Sequence, residues 1–294
     1  MCETCGEHGS AASPSELTAL PGGTRIVVVG KGGVGKSTLS ALMARELARR
    51  GVGVVAVDAD EQRNLAATLG LAPIEISEIV PVAENADYVE EKTGARPGEG
   101  SGSMLRLNPE TTDLVDRLSV LAPDGVRLVV MGGVAQAGGG CLCPETALIS
   151  AAVAGMHVHS EDVVVMDTHA GVEHFGRSLA RGFDTALVVV DPTFNAVQVG
   201  IESARLAAEL GIDSIHLVVN RSRSDDDLER AFRYVVDLGG FAFASITSLP
   251  FDSSVLTCEP SVDRLLEGSA FADAVVGLAE RLLPGVVSAA GAAP

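Results

Sequence analysis

The stretch Gly30-Lys31-Gly32-Gly33-Val34-Gly35-Lys36-Ser37-Thr38 decides the fold class, because it matches the pattern G-x-x-x-x-G-K-[ST]. The apolar residues 25–29 before it predict a buried strand, and residues 37–50 after it predict a helix. Between a strand and a helix, this pattern predicts a phosphate-binding loop in which Lys36 reaches the β- and γ-phosphates and Ser37 binds Mg²⁺. The predicted nucleotide-binding residues of the loop are Gly32, Gly33, Val34, Gly35, Lys36, Ser37 and Thr38.

Lys31 is the unusual residue of this loop. A lysine at the second position has no role in an ordinary phosphate loop, where it would be a solvated surface charge. The pattern KGGVGKST resembles the "deviant" loop of the family that includes the Min and Par partitioning ATPases, nitrogenase iron protein and nickel-insertion ATPases. The resemblance implies ATP as the nucleotide and a homodimer in which Lys31 reaches the partner's nucleotide, as an arginine finger does.

Composition and charge restrict the classes of function. The chain has 294 residues, 47% of them hydrophobic, which is enough for one large α/β core or a core with an inserted subdomain. No apolar run reaches the length of a membrane span, so we expect a soluble cytoplasmic protein that does not bind membranes. The net charge of −18 argues against a nucleic-acid partner.

Strand-like and helix-like segments alternate along most of the chain. Buried strands alternating with helices are typical of a doubly wound, mostly parallel α/β sheet, the predicted fold class. After the first strand, strand-like runs fall at 54–57, 128–131, 163–166, 186–190, 216–219 and 244–246. Further helical patterns fall at 144–156, 195–210, 226–238 and 262–283. We predict a flexible arm over 1–23, an ATPase domain over 24–284 with an insertion of loops and short helices around 73–125, and a flexible tail over 285–294.

Acidic side chains end two of the predicted strands, beside the ligand crevice of a parallel sheet. Asp167 follows the apolar run 163–166 and is predicted to hold Mg²⁺ as a Walker-B aspartate, together with Ser37. The resemblance to the ATPase family places Asp60 near the attacking water and Asp58 near the switch region. Both could instead be solvated loop acids. The segment 168–174 is predicted to be a second switch.

A polar residue also ends the predicted strand 216–219. In the related ATPases the matching asparagine recognises the adenine edge, so the resemblance assigns that role to Asn220, supported by the backbone around Pro250. The alternative is an asparagine amide that caps the next turn.

Cys141 and Cys143 form a CxC pair just before a predicted helix start. In extended backbone, residues two apart project to the same side and can bind one soft metal ion. One chain supplies two thiolates, whereas a twofold dimer supplies four, which suits a tetrahedral or square-planar site. The alternatives are two small buried thiols or a reversible disulfide.

Several further segments resemble the CooC family of nickel-insertion ATPases for carbon monoxide dehydrogenase. They are Leu107-Asn108-Pro109, the run 128–132, the run 140–148, the run 166–177, Val190-Asp191-Pro192-Thr193 and Leu249-Pro250-Phe251-Asp252. The resemblance covers roughly residues 25–283. It implies that Cys141 and Cys143 of two subunits share a Ni²⁺ or Zn²⁺ site, and that ATP hydrolysis is coupled to nickel delivery to an apo-metalloenzyme. His169 departs from this pattern, because the family usually has an acidic residue there.

The N-terminus contains a second cysteine pair. Residues 1–8, MCETCGEH, resemble the CxxCGC start of the hydrogenase nickel-insertion GTPase HypB, with Glu7 in place of its third cysteine. If Met1 is removed, the free α-amine of Cys2 and the thiolates of Cys2 and Cys5 would suit square-planar Ni²⁺, with His8 as a fourth ligand. Zinc binding and an oxidisable dithiol remain alternatives. The isolated Cys258 is predicted to be structural.

The resemblances are compatible with three functions: a nickel metallochaperone ATPase, a Min- or Par-like positioning ATPase, and an Fe–S reductase like nitrogenase iron protein. The positioning ATPase would need a basic surface or a C-terminal amphipathic helix, neither of which the sequence contains. The reductase carries widely separated cysteines rather than one CxC pair. The metallochaperone fits the sequence best.

Overall fold

The computed structural model describes residues 23–96, 106, 109–132, 148–149, 151–153, 162–169, 180 and 182–284. An eight-stranded sheet forms its centre, in the order β3-β4-β2-β5-β1-β6-β7-β8. The strands are β1 Thr24–Gly30, β2 Val54–Ala59, β3 Val120–Leu121, β4 Arg127–Val130, β5 Val163–Thr168, β6 Thr185–Val190, β7 Ser214–Ser222 and β8 Ser245–Pro250. All neighbouring strands run parallel except β3 and β4. The predicted α/β class with a doubly wound, mostly parallel sheet is confirmed.

Burial explains why the central strands have no alternation of polar and apolar residues. β2, β5 and β6 are buried along their whole length, and β1 is buried from Arg25 onward. A parallel sheet covered on both faces requires apolar, β-branched side chains at successive positions, and the Val-rich runs supply them. The carboxyl ends of these strands therefore lie together at one edge of the sheet.

Helices and short turns connect the strands. The α-helices whose full ranges lie in the described residues are α1 Lys36–Arg49, α2 Leu65–Leu69, α3 Pro73–Glu78, α4 Ala86–Thr93, α5 Leu114–Leu118, α6 Phe194–Glu209, α7 Asp225–Asp237, α8 Ser253–Cys258 and α9 Ala270–Leu282. In the same part of the chain, 3₁₀ turns lie at Val82–Glu84, Pro123–Gly125 and Leu265–Glu267. Within the predicted insertion, the described residues form short helices and the two-residue strand β3. The predicted domain boundaries, including the arm and the tail, remain predictions.

The long helix predicted over 262–283 is wrong in its first third. The chain instead forms the 3₁₀ turn Leu265–Glu267, passes through Gly268 at φ +128°, and begins α9 at Ala270. The Ser269 hydroxyl accepts a hydrogen bond from Ala272 N at 3.0 Å and so fixes the start of α9. The helix predicted over 144–156 falls largely outside the described residues, although residues 148–149 and 151–153 are helical.

Candidate nucleotide site

The predicted phosphate loop connects β1 to α1, at the carboxyl edge of the sheet. Gly30 has φ +142°, and a Cβ there would lie 2.1 Å from Val189 O on the neighbouring strand. Gly35 directly precedes α1 with φ +94°, and a Cβ there would lie 2.6 Å from Asn220 Nδ2. Both positions therefore require glycine, for space as well as for backbone conformation. This close packing brings the loop backbone against β6 and β7.

Lys36 is the first residue of α1 and is buried, while Lys31 is exposed. The Lys36 ammonium donates a hydrogen bond to Lys31 O at 3.2 Å, so it lies against the backbone of the loop. Burial lowers the pKa of Lys36 below its usual value, and the carboxylates of Asp167 and Asp60 oppose this shift. A buried lysine with two nearby acids is placed to meet phosphate charge at the N-terminus of α1.

Asp58 and Asp167 are the second-last residues of the central strands β2 and β5 and are partners in the register of the sheet. Both residues are fully buried. Asp58 accepts hydrogen bonds from Asp60 N at 3.1 Å and from Leu65 N at 3.0 Å. Burial, and secondarily the charge of Asp167, raise the pKa of Asp58 to about 7. Asp58 thus holds together the turn that carries Asp60.

Asp167 fits the role of a metal ligand by its own geometry. Its Oδ1 lies 3.5 Å from Ser40 Oγ, and the Ser37 hydroxyl also hydrogen-bonds this carboxylate. Among the described residues, Asp167 Oδ2 finds no hydrogen-bond donor although it is buried. Burial raises the pKa of Asp167 to about 6. A buried carboxylate oxygen without a donor, beside a serine hydroxyl, matches the oxygen ligands that Mg²⁺ prefers.

Asp60 lies one residue beyond β2 and is half-buried. Its Oδ1 accepts a hydrogen bond from Gln62 N at 2.8 Å. Its negative charge raises the pKa of Asp167 and partly offsets the lowering of the pKa of Lys36, so Asp60 lies within electrostatic range of both side chains. The structure therefore brings together Lys36, Ser37, Asp60 and Asp167 at the edge where the sequence places them, while their roles in catalysis remain predictions.

Asn220 and Pro250 line a cleft beside the phosphate loop, together with Gly35, Thr38, Phe251 and Phe271. Asn220 donates a hydrogen bond from Nδ2 to Val34 O at 2.7 Å, and its Oδ1 accepts one from Arg221 N at 2.8 Å. In this structure the asparagine amide thus braces the phosphate loop and the turn after β7. Recognition of adenine by Asn220 remains a prediction.

Two features of this site were missed by sequence reasoning. The Phe251 ring lines the cleft, and the Arg223 guanidinium lies over this ring, 4.2 Å from its centroid. The sequence signal for this aromatic lining was the phenylalanine directly after Pro250. Ser40, which lies beside Asp167, is one helical turn beyond Ser37 and Lys36, a spacing that places it on the same face of α1.

The predicted cargo-binding cysteines Cys2, Cys5, Cys141 and Cys143 lie outside the described residues, as does the switch segment after His169. Cys258 is half-buried at the end of α8 and packs against the core. Within the described ranges, histidine, cysteine and acidic side chains form no group of three or more that could hold a metal ion.

Every helix in the described part is too short or too polar to span a lipid bilayer.

A phosphate loop that meets strand-end carboxylates at one edge of a parallel sheet is the arrangement of P-loop ATPases, and this protein is an ATPase of that class. Residues 26–259 match the model of the CobQ/CobB/MinD/ParA nucleotide binding domain, CbiA, so the chain belongs to this family.

Two relatives and two solved structures show how far the similarity extends. The chain is 35% identical to the carbon monoxide dehydrogenase accessory protein CooC of Rhodospirillum rubrum over 79% of this chain and 85% of that protein. It is 32% identical to an uncharacterized ATP-binding protein of Methanocaldococcus jannaschii, over 80% and 88% of the two chains. The Mg-ADP complex of septum site-determining protein MinD from Pyrococcus horikoshii superposes with a TM-score of 0.63 at 18% identity, covering 90% of this chain and 98% of that one. The cell division ATPase MinD of Pyrococcus furiosus superposes with a TM-score of 0.62 at 21% sequence identity, covering 89% of this chain and 99% of that one. These two structures share the fold.

Proposed function

We propose that this protein is an ATP-hydrolysing nickel metallochaperone that inserts metal into an apo-metalloenzyme such as carbon monoxide dehydrogenase. The observation that carries the proposal is the 35% identity to a carbon monoxide dehydrogenase accessory protein over 79% of this chain. The nucleotide site supports the ATPase half of the proposal, and the pair Cys141 and Cys143 supports the metal half.

Nucleotide binding would use the loop backbone and Lys36. The N–H groups of residues 32–38 and the N-terminus of α1 receive the phosphates, and Lys36 neutralises the β- and γ-phosphate charge. Lys36 is already buried, so its charge acts in a medium of low effective dielectric constant. Asn220 braces the loop through Val34 O and lies at the cleft that would take the base.

Mg²⁺ would be held by the Ser37 hydroxyl and Asp167. The ion would supply positive charge that offsets the negative charge developing during phosphoryl transfer. Asp167 must be ionised to serve as a ligand. Because its pKa in the metal-free protein is raised to about 6, binding of the cation favours release of the proton.

Asp60 would orient the water that attacks the γ-phosphate. Its position depends on Asp58, which accepts the Asp60 backbone N–H and so fixes the direction in which this turn leaves β2. Lys31 would complete the site from the partner subunit, where its exposed side chain stabilises the negative charge of the transition state.

Dimerisation would also create the cargo site. Each chain contributes Cys141 and Cys143, and a twofold axis near the pair brings four thiolates to one Ni²⁺ ion, with Zn²⁺ as the competing metal. Nickel is the substrate of this cycle, since it is taken up and passed on. Hydrolysis of ATP would open the dimer and release the metal to the client enzyme. Cys2 and Cys5 of the N-terminal arm would form a second binding site.

The protein would act in the cytoplasm as a homodimer, with the client metalloenzyme as its partner and with neither nucleic acid nor membrane among its ligands. The net charge of −18 supports the exclusion of polyanionic surfaces.

Activation of an apo-enzyme tests this function directly. Nickel-free carbon monoxide dehydrogenase is incubated with Ni²⁺, MgATP and this protein, and carbon monoxide oxidation is then measured. We expect activation that requires ATP hydrolysis and that Cys141→Ser with Cys143→Ser abolishes. Equal activation by free Ni²⁺ at the same concentration, without this protein, would overturn the proposal.

A further inference from the structure

Arg45 is a buried arginine on the phosphate-loop helix α1, far along the chain from each of its partners. Its Nε donates to Asp124 Oδ2 at 2.6 Å, and its Nη1 donates to Leu69 O at 3.0 Å. Nη1 also forms a short hydrogen bond to Asp263 Oδ1. The rigid planar fork of an arginine can serve three acceptors in different directions at once, which a lysine ammonium on a flexible stem does less well.

Leu69 is the last residue of α2, and the two ends of this five-residue helix are held by different parts of the molecule. At the N-terminal end, Leu65 N donates to Asp58 Oδ2 in the nucleotide site. At the C-terminal end, Leu69 O accepts from Arg45. Helix ends leave carbonyl groups without intrahelical partners, so Arg45 satisfies one of them. α2 therefore links α1 to the turn that carries Asp60.

The junction around Arg45 is closely packed. Gly70 follows α2 with φ +102°, and a Cβ there would lie 3.3 Å from Arg45 Nη1 and 3.2 Å from Asp263 Oδ2. Val262 N donates to Thr68 O at 3.0 Å, which ties the same end of α2 to the segment that contains Asp263. These contacts fix where α2 lies along α1.

Arg49 offers a natural comparison, because it lies one helical turn beyond Arg45. It also binds Asp124 Oδ2, at 3.1 Å, and it donates to Leu266 O at 3.1 Å. Neither acceptor belongs to α2. Arg49 thus shares the stabilising ion pair of Arg45 but lacks the bond to the helix that leads to Asp58.

We propose that Arg45 is a positioning residue for ATP hydrolysis: it fixes α2, and through the Leu65–Asp58 hydrogen bond it fixes the turn carrying Asp60, relative to the phosphate loop. This role rests on the hydrolytic function proposed for Asp60. Lys36 begins α1, nine residues before Arg45, so one helix carries both the phosphate-binding lysine and the arginine that sets the catalytic turn.

The test compares Arg45→Ala, Arg45→Lys and Arg49→Ala in the full-length chain. Misplacement of a catalytic group by about 1 Å can cost on the order of 100-fold in rate. For Arg45→Ala we expect kcat to fall about 10- to 100-fold while the dissociation constant for MgADP stays within about twofold of wild type. Arg45→Lys should recover part of the lost kcat, and Arg49→Ala should have the kcat of the wild type.

Amide hydrogen exchange at Leu65 gives a second readout that needs no activity. We expect Arg45→Ala to accelerate exchange at this amide and Arg49→Ala to leave it unchanged. Equal effects of the two alanine variants on kcat and on exchange, or unchanged kcat in Arg45→Ala, would overturn the role of Arg45. A wild-type protein that hydrolyses no ATP would instead refute the proposed function, and the exchange result would still decide whether Arg45 positions α2.

Discussion

Asp58 and Asp167 lie side by side as register partners on β2 and β5, and both carboxyl groups are fully buried. Their contacts differ. Asp58 accepts two backbone N–H bonds, whereas Asp167 retains a buried oxygen for which the described residues supply no donor. One acid therefore organises the backbone of the site, and the other is available to a metal ion.

Burial of this pair makes the stability of the metal-free protein depend on pH. The pKa of Asp58 is raised to about 7 and that of Asp167 to about 6, so both groups hold protons in the folded state that the unfolded chain has released. The contribution of these two groups to stability is therefore fully present below about pH 4, the usual carboxyl pKa, and is lost as the pH rises through 6 and 7.

Urea unfolding without Mg²⁺ and nucleotide, from pH 5 to pH 8, measures this effect. The wild type should lose more free energy of unfolding over this range than Asp58→Asn, which retains an oxygen acceptor but cannot ionise. Parallel pH profiles for the two proteins would contradict the raised pKa of Asp58.

The two exchanges Gly35→Ala and Gly33→Ala separate backbone strain from steric conflict in the phosphate loop. Both glycines have positive φ, and a left-handed non-glycine residue costs about 1–2 kcal/mol. Only at Gly35 does the new methyl group meet Asn220, whose bond to Val34 O it would displace. We expect Gly35→Ala to weaken MgATP binding by more than about tenfold, or about 1.4 kcal/mol, and Gly33→Ala to weaken it less. Isothermal titration calorimetry measures the MgATP affinity of both variants. Equal losses of affinity would count against the bracing role of Asn220.

Asp167→Asn should remove the Mg²⁺ dependence of nucleotide binding. The neutral amide keeps the shape of the side chain but lowers its affinity for the cation, so ADP with Mg²⁺ should bind no more tightly than ADP with EDTA. Ser40→Ala is the matched control, because its hydroxyl lies at the long distance of 3.5 Å from Asp167 Oδ1. A Mg²⁺ effect of wild-type size in Asp167→Asn would exclude Asp167 as a ligand.

Lys31 can be tested for action in trans by mixing two inactive variants. Lys31→Ala should lower kcat by about 10³-fold, the lower end of the effect of an arginine finger, and Asp60→Asn should also inactivate the protein. In a mixed dimer, the Lys31→Ala chain keeps Asp60 and receives Lys31 from its partner, so one intact site forms and activity returns on mixing. If Lys31 acts within its own chain, the mixture stays as inactive as its components.

The sequence could predict the parts of the site that short-range patterns encode. Lys36 and Ser37 follow from the loop pattern, and Asp58, Asp60 and Asp167 follow from apolar strands that end in acids. These residues meet because parallel strands place their carboxyl ends at one edge. The start of α9 was predicted eight residues too early, because the apolar pattern runs from residue 262 through Gly268, whereas the Ser269 cap begins the helix at Ala270.

Contacts between distant segments could not be predicted. Arg45 looks like an ordinary polar position on a helix, and its partner Asp263 is 218 residues away. Asn220 was assigned to the base from a resemblance, yet its amide holds Val34, 186 residues away. Such pairs depend on how the layers pack, and a single sequence carries no periodic signal for them.

In the proposed metallochaperone, two chains share one nickel site made by Cys141 and Cys143. The most direct test of this site is equilibrium dialysis of Ni²⁺ against the full-length Cys2→Ser/Cys5→Ser protein, with and without the further exchanges Cys141→Ser and Cys143→Ser, in the presence of MgATP. We expect about one Ni²⁺ per two chains, as twofold symmetry requires, and loss of this metal in the fourfold variant with MgATP affinity unchanged. Unchanged nickel stoichiometry in the fourfold variant would contradict the metallochaperone function.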